Sequence, residues 1–420
     1  MTLHRCLIRQ AATYRPGTDT AAPYAQAVRA GERIYLSGQS GAGRDGRVAA
    51  CGDAAAQTNA AIDGLEAALA AAGANLTDIT KLTTAIVDRD HRRDVYGAIS
   101  RRLPNVYPVS TGLVVAGLPA VEMMVQIDAE AIAPAAGATA VRRHRTYAFP
   151  NWHGQNFSWQ GSMVVAGATE LFVRGQTGST LDGGGLVGLG RRLEDAAAQA
   201  DLALSNLTTL IQEAGCGLDE VAKITVYISD RAYRTAVYPM IGKHFSGIHP
   251  VSTGIIVQAF ARPQILFEID VQVLPKVAGQ PHTRLRTYQS QNARYGSEQQ
   301  PLECAFCMAV RAGDRVILRG QTGMDLDQVL QGRGDAAAQA EQAMDNVALL
   351  LAEAGAKLSD VAKATVFVTD RAYLAGVCEV VLRRLHGVNP AFSAMIVKGL
   401  ASPELLMEVD ITAVIADAST

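Results

Sequence analysis

The chain has 420 residues, 49% of them hydrophobic, with 38 lysines and arginines against 40 aspartates and glutamates. That is enough apolar material for more than one core, and a net charge of -2 argues against nucleic acid or an anionic membrane surface as the main partner. With no long apolar run, no apolar leader in MTLHRCLIRQAATYRPG and six cysteines in so long a chain, neither a membrane span, a signal peptide nor a disulfide framework is expected, and a cytoplasmic location is.

In chain order, the apolar stretch ending in Tyr35-Leu-Ser-Gly-Gln39 predicts a strand. An Ala-rich amphipathic helix follows from about Asp53 to Ala72, with Asp53 suited to its N-cap and Gly73 to its C-terminal stop. Leu82–Val87 is β-branched with period-2 character, a second helix is predicted near Arg93–Arg102, and two strands, Ser110–Val115 and Met123–Ala129, close the unit. One sheet covered on one face by two helices is an α+β unit.

The unit recurs. Asp53-Ala-Ala-Ala-Gln57 returns as Asp195–Gln199 and as Asp335–Gln339, at offsets of 142 and 140. The same offsets carry Gly73 onto Gly215 and Gly355, Lys81 onto Lys223 and Lys363, and Asp128 onto Asp270 and Asp410. No gap is needed from first helix to last strand, so the chain is three copies of a unit far longer than the ~20–50-residue periods of solenoids. Composition shifts at Ala133–Val141 and Lys276–Arg284 place the units at 1–137, 138–279 and 280–420.

Pro23-Tyr24-x-Gln26, then Ser37-Gly38-Gln39, the Ala-rich helix ending in Ala-Gly and the last strand pair resemble the RidA/YjgF/YER057c/UK114 family, three times over. The resemblance implies a chorismate-mutase-like fold, a trimer with a ligand pocket between neighbouring subunits, and hence a monomeric pseudo-trimer in a fused chain, with pairing of two such chains left open. It also implies hydrolysis of reactive imines and enamines without metal or cofactor. In the family an arginine early in the last strand pair holds the substrate carboxylate, a cysteine two residues on lines the pocket, and a glutamate in the final strand positions water. Here the arginine position falls on Ser110, Ser252 and Phe392, the cysteine position on Gly112, Gly254 and Ala394, and the glutamate position on Gln126, Glu268 and Glu408. The N-terminal tyrosine is Tyr24 in unit 1 and Phe306 in unit 3, and in unit 2 it aligns loosely near Trp159 or Gln160.

Where unit 1 has Ser37-Gly38, units 2 and 3 have Arg174-Gly175 and Arg319-Gly320. Arginine is planar, always charged and able to grip both oxygens of a carboxylate. Arg174 and Arg319 are therefore expected either to take over anion binding or to pair structurally with Glu268 and Glu408. Glu268 and Asp270 alternate onto one strand face, as do Glu408 and Asp410, a spacing of about 7 Å that raises a carboxyl pKa. Glu268 and Glu408 are the expected catalytic groups, and the aspartates, present in all three units, are expected to be structural. Gly175, Gly320, Ser252, Thr253, Tyr24, Ser37, Gly38, Ser110 and Gln126 complete the expected small-molecule site, with unit 1 the altered copy. The function expected is a hydrolase or lyase acting on a small anionic imine, enamine or related C–N compound. The alternative is a non-catalytic small-molecule-binding or protein-protective module. A ribonuclease fits poorly with the balanced charge and the absence of a basic, aromatic stripe.

Other signals are weaker. Gly183–Gly188 matches GxGxxG inside five extra residues of unit 2, in no βαβ context, and reads as a loop. Cys304-x-x-Cys307 stands without a second pair, so no metal is expected. His244 and His249 read as surface residues, and Trp152 and Trp159 as packing at the seam between units 1 and 2. There is no GxSxG.

Overall fold

The computed structural model describes residues 3–6, 23–42, 47–135, 137, 140–149, 159–183, 185–289, 294–295, 298–299 and 304–416. Each unit presents two helices to one sheet. The helices are α1 (Ala54–Ala71), α2 (Arg92–Arg102), α3 (Leu193–Glu213), α4 (Arg234–His244), α5 (Ala336–Glu353) and α6 (Arg371–Arg384). In α1 the Asp53 side chain accepts from the Ala56 N–H, and Gly73 leaves the helix with φ +71°, a conformation costly for a residue with a Cβ. In unit 2 the helix starts earlier, and Asp195 lies in its first turn, accepting from the Arg192 N–H.

The first sheet runs Leu3–Cys6, Ala27–Ala30, Arg33–Leu36, Val125–Ile132, Ile79–Ile86, Val109–Val114 from edge to edge. The last two are parallel, with α2 as the crossover that parallel pairing needs. The third sheet repeats this order from Thr283–Leu285 to Ala391–Ile396, and the second carries Arg142–Phe149 at the corresponding edge. These edge strands were not foreseen. Arg142–Phe149 is polar and largely exposed, with no apolar alternation to announce it. The final strand of unit 1 starts at Val125 rather than Met123.

The units contact one another in a ring. Gln258 N–H donates to the Val114 carbonyl, Lys398 N–H to Ile256, and Ile396 N–H to Gly117, joining units 1 to 2, 2 to 3 and 3 to 1. Each helical layer has its own apolar core. A further cluster, including Leu113, Val115, Ile255, Phe260, Met395 and Leu400, draws side chains from all three units. Burial of that kind ties the units together through the hydrophobic effect.

Candidate functional site

The recurring lysines and aspartates meet at the seams. Lys81 pairs with Asp270 at 2.6 Å, Lys223 with Asp410 at 2.6 Å, and Lys363 with Asp128 at 2.5 Å. Thr111 donates to Asp270 at 3.0 Å, Thr253 to Asp410 at 2.5 Å, and Ser393 to Asp128. Each triad takes its lysine and hydroxyl from one unit and its aspartate from the next. Thr253, expected to bind substrate, is thus committed to the seam.

One step outward, the cleft between units 2 and 3 opens about 450 Å³ of space, part of it open to solvent. Unit 2 supplies Arg234, Tyr238, Ser252 and Gly254, while unit 3 supplies Tyr288, Phe306, Arg319, Gly320 and Glu408. Arg234 lies 4.4 Å over the ring of Tyr238, donating to its hydroxyl at 3.1 Å, and Arg319 lies 5.5 Å from the ring centre of Tyr288. Such cation–π contacts hold a guanidinium in place. Gly254 makes room for the helix residues: a Cβ there would lie 2.6 Å from Tyr238 Oη and 3.2 Å from Arg234 Nη1. Gly320 lies so close to the Glu408 carboxyl that a Cβ would overlap it.

The seam between units 1 and 2 repeats the arrangement. Arg92 lies 4.3 Å over Tyr96, Arg174 lies 5.4 Å from the ring centre of Tyr147, and a Cβ on Gly112 or Gly175 would overlap Tyr96 Oη or the Glu268 carboxyl. Ser110 holds the place of Ser252. Trp159 is buried and meets Tyr96 edge-on at 4.9 Å; Trp152 lies outside the described residues.

Glu268 and Glu408 are both buried. Burial first, and the neighbouring Asp270 or Asp410 second, push their carboxyls up to about 8, against the pull of Arg174 with Arg92 and of Arg319 with Lys223 and Arg234. Among the described residues neither carboxyl lies within salt-bridge distance of a basic side chain, and Arg234, Arg319 and Glu408 line one space. A carboxyl raised in this way favours its protonated form near neutral pH.

The third seam, between units 3 and 1, lacks the arginines, the helix tyrosine and the glutamate of this set and keeps the strand-end glycine as Gly38. The helix positions of Arg92 and Tyr96 are Leu374 and Cys378, those of Ser110 and Gly112 are Phe392 and Ala394, and Arg174 and Glu268 become Ser37 and Gln126. The Ser37 hydroxyl donates to the Ala25 carbonyl and accepts from Phe392 N–H, Gly38 N–H donates to Ser393, Gln126 reaches Asp128, and Tyr24 packs 5.5 Å from Phe392. Tyr24, Ser37, Gly38 and Gln126, expected to touch substrate, make these contacts at the third seam. The losses belong to one seam rather than to unit 1, whose other wall carries Arg92, Tyr96 and Gly112. Matching backbone bonds to Pro390, Pro108 and Pro250 equate Ala25, Ser162 and Cys307. The unit 2 counterpart of Tyr24 and Phe306 is therefore Gly161, one residue beyond the expected alignment, and Tyr147 fills its space.

Sequence reasoning missed Arg92, Tyr96, Arg234, Tyr238, Tyr147 and Tyr288. The comparison that singled out Arg174 and Arg319 against Ser37 would have found Arg92 and Arg234 against Leu374. A larger space lies among the seam triads on the ring axis, lined by Tyr35, Glu130 and the three lysine–aspartate pairs. There the three lysines pair with the three aspartates and Glu130 adds a further acid, whereas among the described residues lining the cleft between units 2 and 3 Arg234 and Arg319 stand with Glu408. Cys304 and Cys307 are buried, free, and pushed up to about 12 by burial. Gly183 and Gly188 lie in a loop, and His244 contacts Asp201 at 2.9 Å. Among the described residues no group of three or more His, Cys, Asp and Glu side chains is placed to hold a metal ion.

Three units of one α+β fold, with clefts between them, define the class of protein. The family model described as endoribonuclease L-PSP matches residues 15–133, 161–274 and 298–415, and the chain belongs to that family. It is 37% identical over 91 residues to "Protein DfrA" of Myxococcus xanthus, covering 22% of this chain and 70% of that protein. It is also 37% identical over 78 residues to "RutC family protein slr0709" of Synechocystis, covering 18% and 60%. Among solved structures it is similar in fold to a chorismatase (TM-score 0.53, 15% identity, 80% of this chain and 93% of that one). A YjgF/YER057c/UK114-family protein of Mycobacterium tuberculosis matches at 27% identity over 32% of this chain and 99% of that one, with a TM-score of 0.26.

Proposed function

We propose that the protein is a cofactor-independent hydrolase or lyase acting on a small anionic imine, enamine or related C–N compound, with two working clefts in one chain. The ring of three units serves as a pseudo-trimer, and its third seam is structural. The observation that carries this reading is a buried glutamate, its carboxyl pushed up to about 8, set near one arginine of its own unit and one of the neighbouring unit at each of two seams, with neither arginine at the third.

The residues divide the work. An arginine fixes the substrate carboxylate, and the Glu268 or Glu408 carboxyl protonates the imine nitrogen, or the β-carbon of an enamine. Water adds to the resulting iminium carbon and returns its proton to the glutamate. Collapse of the carbinolamine moves the hydroxyl proton to nitrogen and releases ammonia and a carbonyl compound.

The test is ammonia and keto-acid release from amino-acid-derived imines generated in situ. Glu268→Gln or Glu408→Gln alone should leave about half the turnover, and the double variant should lose at least about 100-fold, the usual weight of a general acid–base group. Turnover should fall as pH rises through about 8, where the two acids ionise. Undiminished turnover in the double variant overturns the assignment. Saturable binding without product favours the second reading, a binding module, which the missing arginine and cysteine at Ser252 and Gly254 support.

A further inference from the structure

The three lysine–aspartate pairs surround a space on the ring axis of about 930 Å³, part of it open to solvent. On the strands facing those lysines stand three equivalent residues: Glu130 opposite Lys81, Gln272 opposite Lys223 and Thr412 opposite Lys363. All three line the space, and so does Tyr35, the cross-strand partner of Glu130. Tyr35 is 3% exposed, and among the described residues its hydroxyl meets no hydrogen-bond partner. A buried hydroxyl left without a partner is costly, so a group within the space is expected to bond to it. We propose that this end of the axial space binds one small ammonium group, either ammonium itself or a primary amine, held by the Glu130 carboxylate and the oxygens of Gln272, Thr412 and Tyr35. The site is separate from the clefts and does not rest on the chemistry assigned to them.

Charge and donor number name the ligand. Among the described residues Glu130 forms no ion pair, and the cations around it are committed to other acids: Lys81 to Asp270, Lys363 to Asp128, Arg33 to Asp314 and Arg315 to Glu170. The lysines offer little to an anion. Lys363 already donates to Asp128, Ser393 and the Leu36 carbonyl, which uses all three of its N–H groups. One charged acceptor among neutral ones suits a single positive charge, and acceptors at three equivalent positions around an axis suit a group with three or more N–H donors. A divalent metal ion would take about six or more oxygens, and the ammonium groups of the lysines oppose a double charge beside them. The differences between copies agree. Three identical units would set three carboxylates around the axis, where like charges repel; the chain keeps one and places neutral acceptors at the other two positions. The hydroxyl follows the acid: opposite Gln272 the place of Tyr35 is taken by Phe172, and opposite Thr412 by Ile317.

The test is the melting temperature of the full chain titrated with ammonium, methylammonium, potassium or tetramethylammonium chloride at one fixed ionic strength. Ammonium or methylammonium should raise it saturably above tetramethylammonium, which has no N–H to donate, and the stronger of the two tells the free ion from an amine. Glu130→Gln should weaken the apparent affinity at least about ten-fold, the weight of a hydrogen bond to a charged group. Tyr35→Phe removes only the unpartnered hydroxyl and serves should Glu130→Gln fail to fold; it should weaken affinity about three-fold or more. A potassium response equal to that of ammonium overturns the ammonium assignment. One melting temperature in all four salts, or an affinity unchanged in the folded variants, overturns the site and leaves the space to water.

Discussion

Gly254 and Gly112 are small so that a helix can reach the cleft. The residue expected there from the family is a cysteine, and its side chain would occupy the space that Tyr238 and Arg234, or Tyr96 and Arg92, now fill. Gly254→Ala should therefore disable one cleft and spare the other. Its added carbon would lie 2.6 Å from Tyr238 Oη and 3.2 Å from Arg234 Nη1, distances at which the helix residues must move. In the wild-type background turnover should drop to about half, and in a Glu268→Gln background by at least about ten-fold, because a misplacement near 1 Å is costly to catalysis. Unchanged turnover in both backgrounds would mean that the helix arginine takes no part. At this scale Glu268, Glu408, Arg174 and Arg319 were legible from the sequence, because each differs between copies at a position with a known neighbourhood. Arg92 and Arg234 were not, because an arginine in the first turn of a helix reads as solvated until the neighbouring unit is seen to stand over it.

The final strand of each unit carries its acids with period 2. In unit 3 Glu408 faces the cleft and Asp410, on the same face, closes the seam to Lys223. The strand thus carries a cleft acid and a seam acid two residues apart. Asp410→Asn removes the negative charge that helps hold the Glu408 proton and leaves the Lys223 ammonium unmatched, and both changes favour the ionised glutamate. The sign is fixed: the Glu408 pKa falls from about 8, so cleft 2/3 loses its proton donor at lower pH. In a Glu268→Gln background the pH–turnover curve of Asp410→Asn should break below that of the parent, and a curve that does not move would separate the two acids. Helices and central strands were legible because their apolar periods are long and their caps explicit. The edge strand Arg142–Phe149 was not, since its pairing with Trp159–Ala166 rests on backbone bonds rather than on a buried face.

Across the whole molecule the three copies are made unequal where they meet. Arg33, Glu170 and Arg315 stand at equivalent points, four residues before Ser37, Arg174 and Arg319, and all three are buried. Arg315 pairs with Glu170, and Arg33 reaches Asp314 at 3.0 Å. Three identical units would bring three like charges to these places, which a buried environment penalises heavily. With one acid between two arginines, the three positions are unequal, which suits three linked units in one fixed order. Glu170→Gln should cost about 3–5 kcal/mol, since it leaves Arg315 buried without its partner. Urea unfolding at pH 7 would measure this, and a loss below about 1 kcal/mol, the range of exposed pairs, would show that the arginine relaxes into solvent.

The sequence by itself determined the threefold repeat, the α+β unit and the acids of two copies, because periodicity, caps and aligned substitutions are written along the chain. It also marked the lysines and aspartates as recurrent without saying why. Only the tertiary structure decided which wall faces which. Each cleft is assembled from the helix and parallel strand of one unit and the hairpin and final strand of the next, so its members lie well over a hundred residues apart from Arg234 to Glu408. Their convergence follows from the ring closure of three sheets around a shared apolar cluster, a long-range packing that no local pattern encodes.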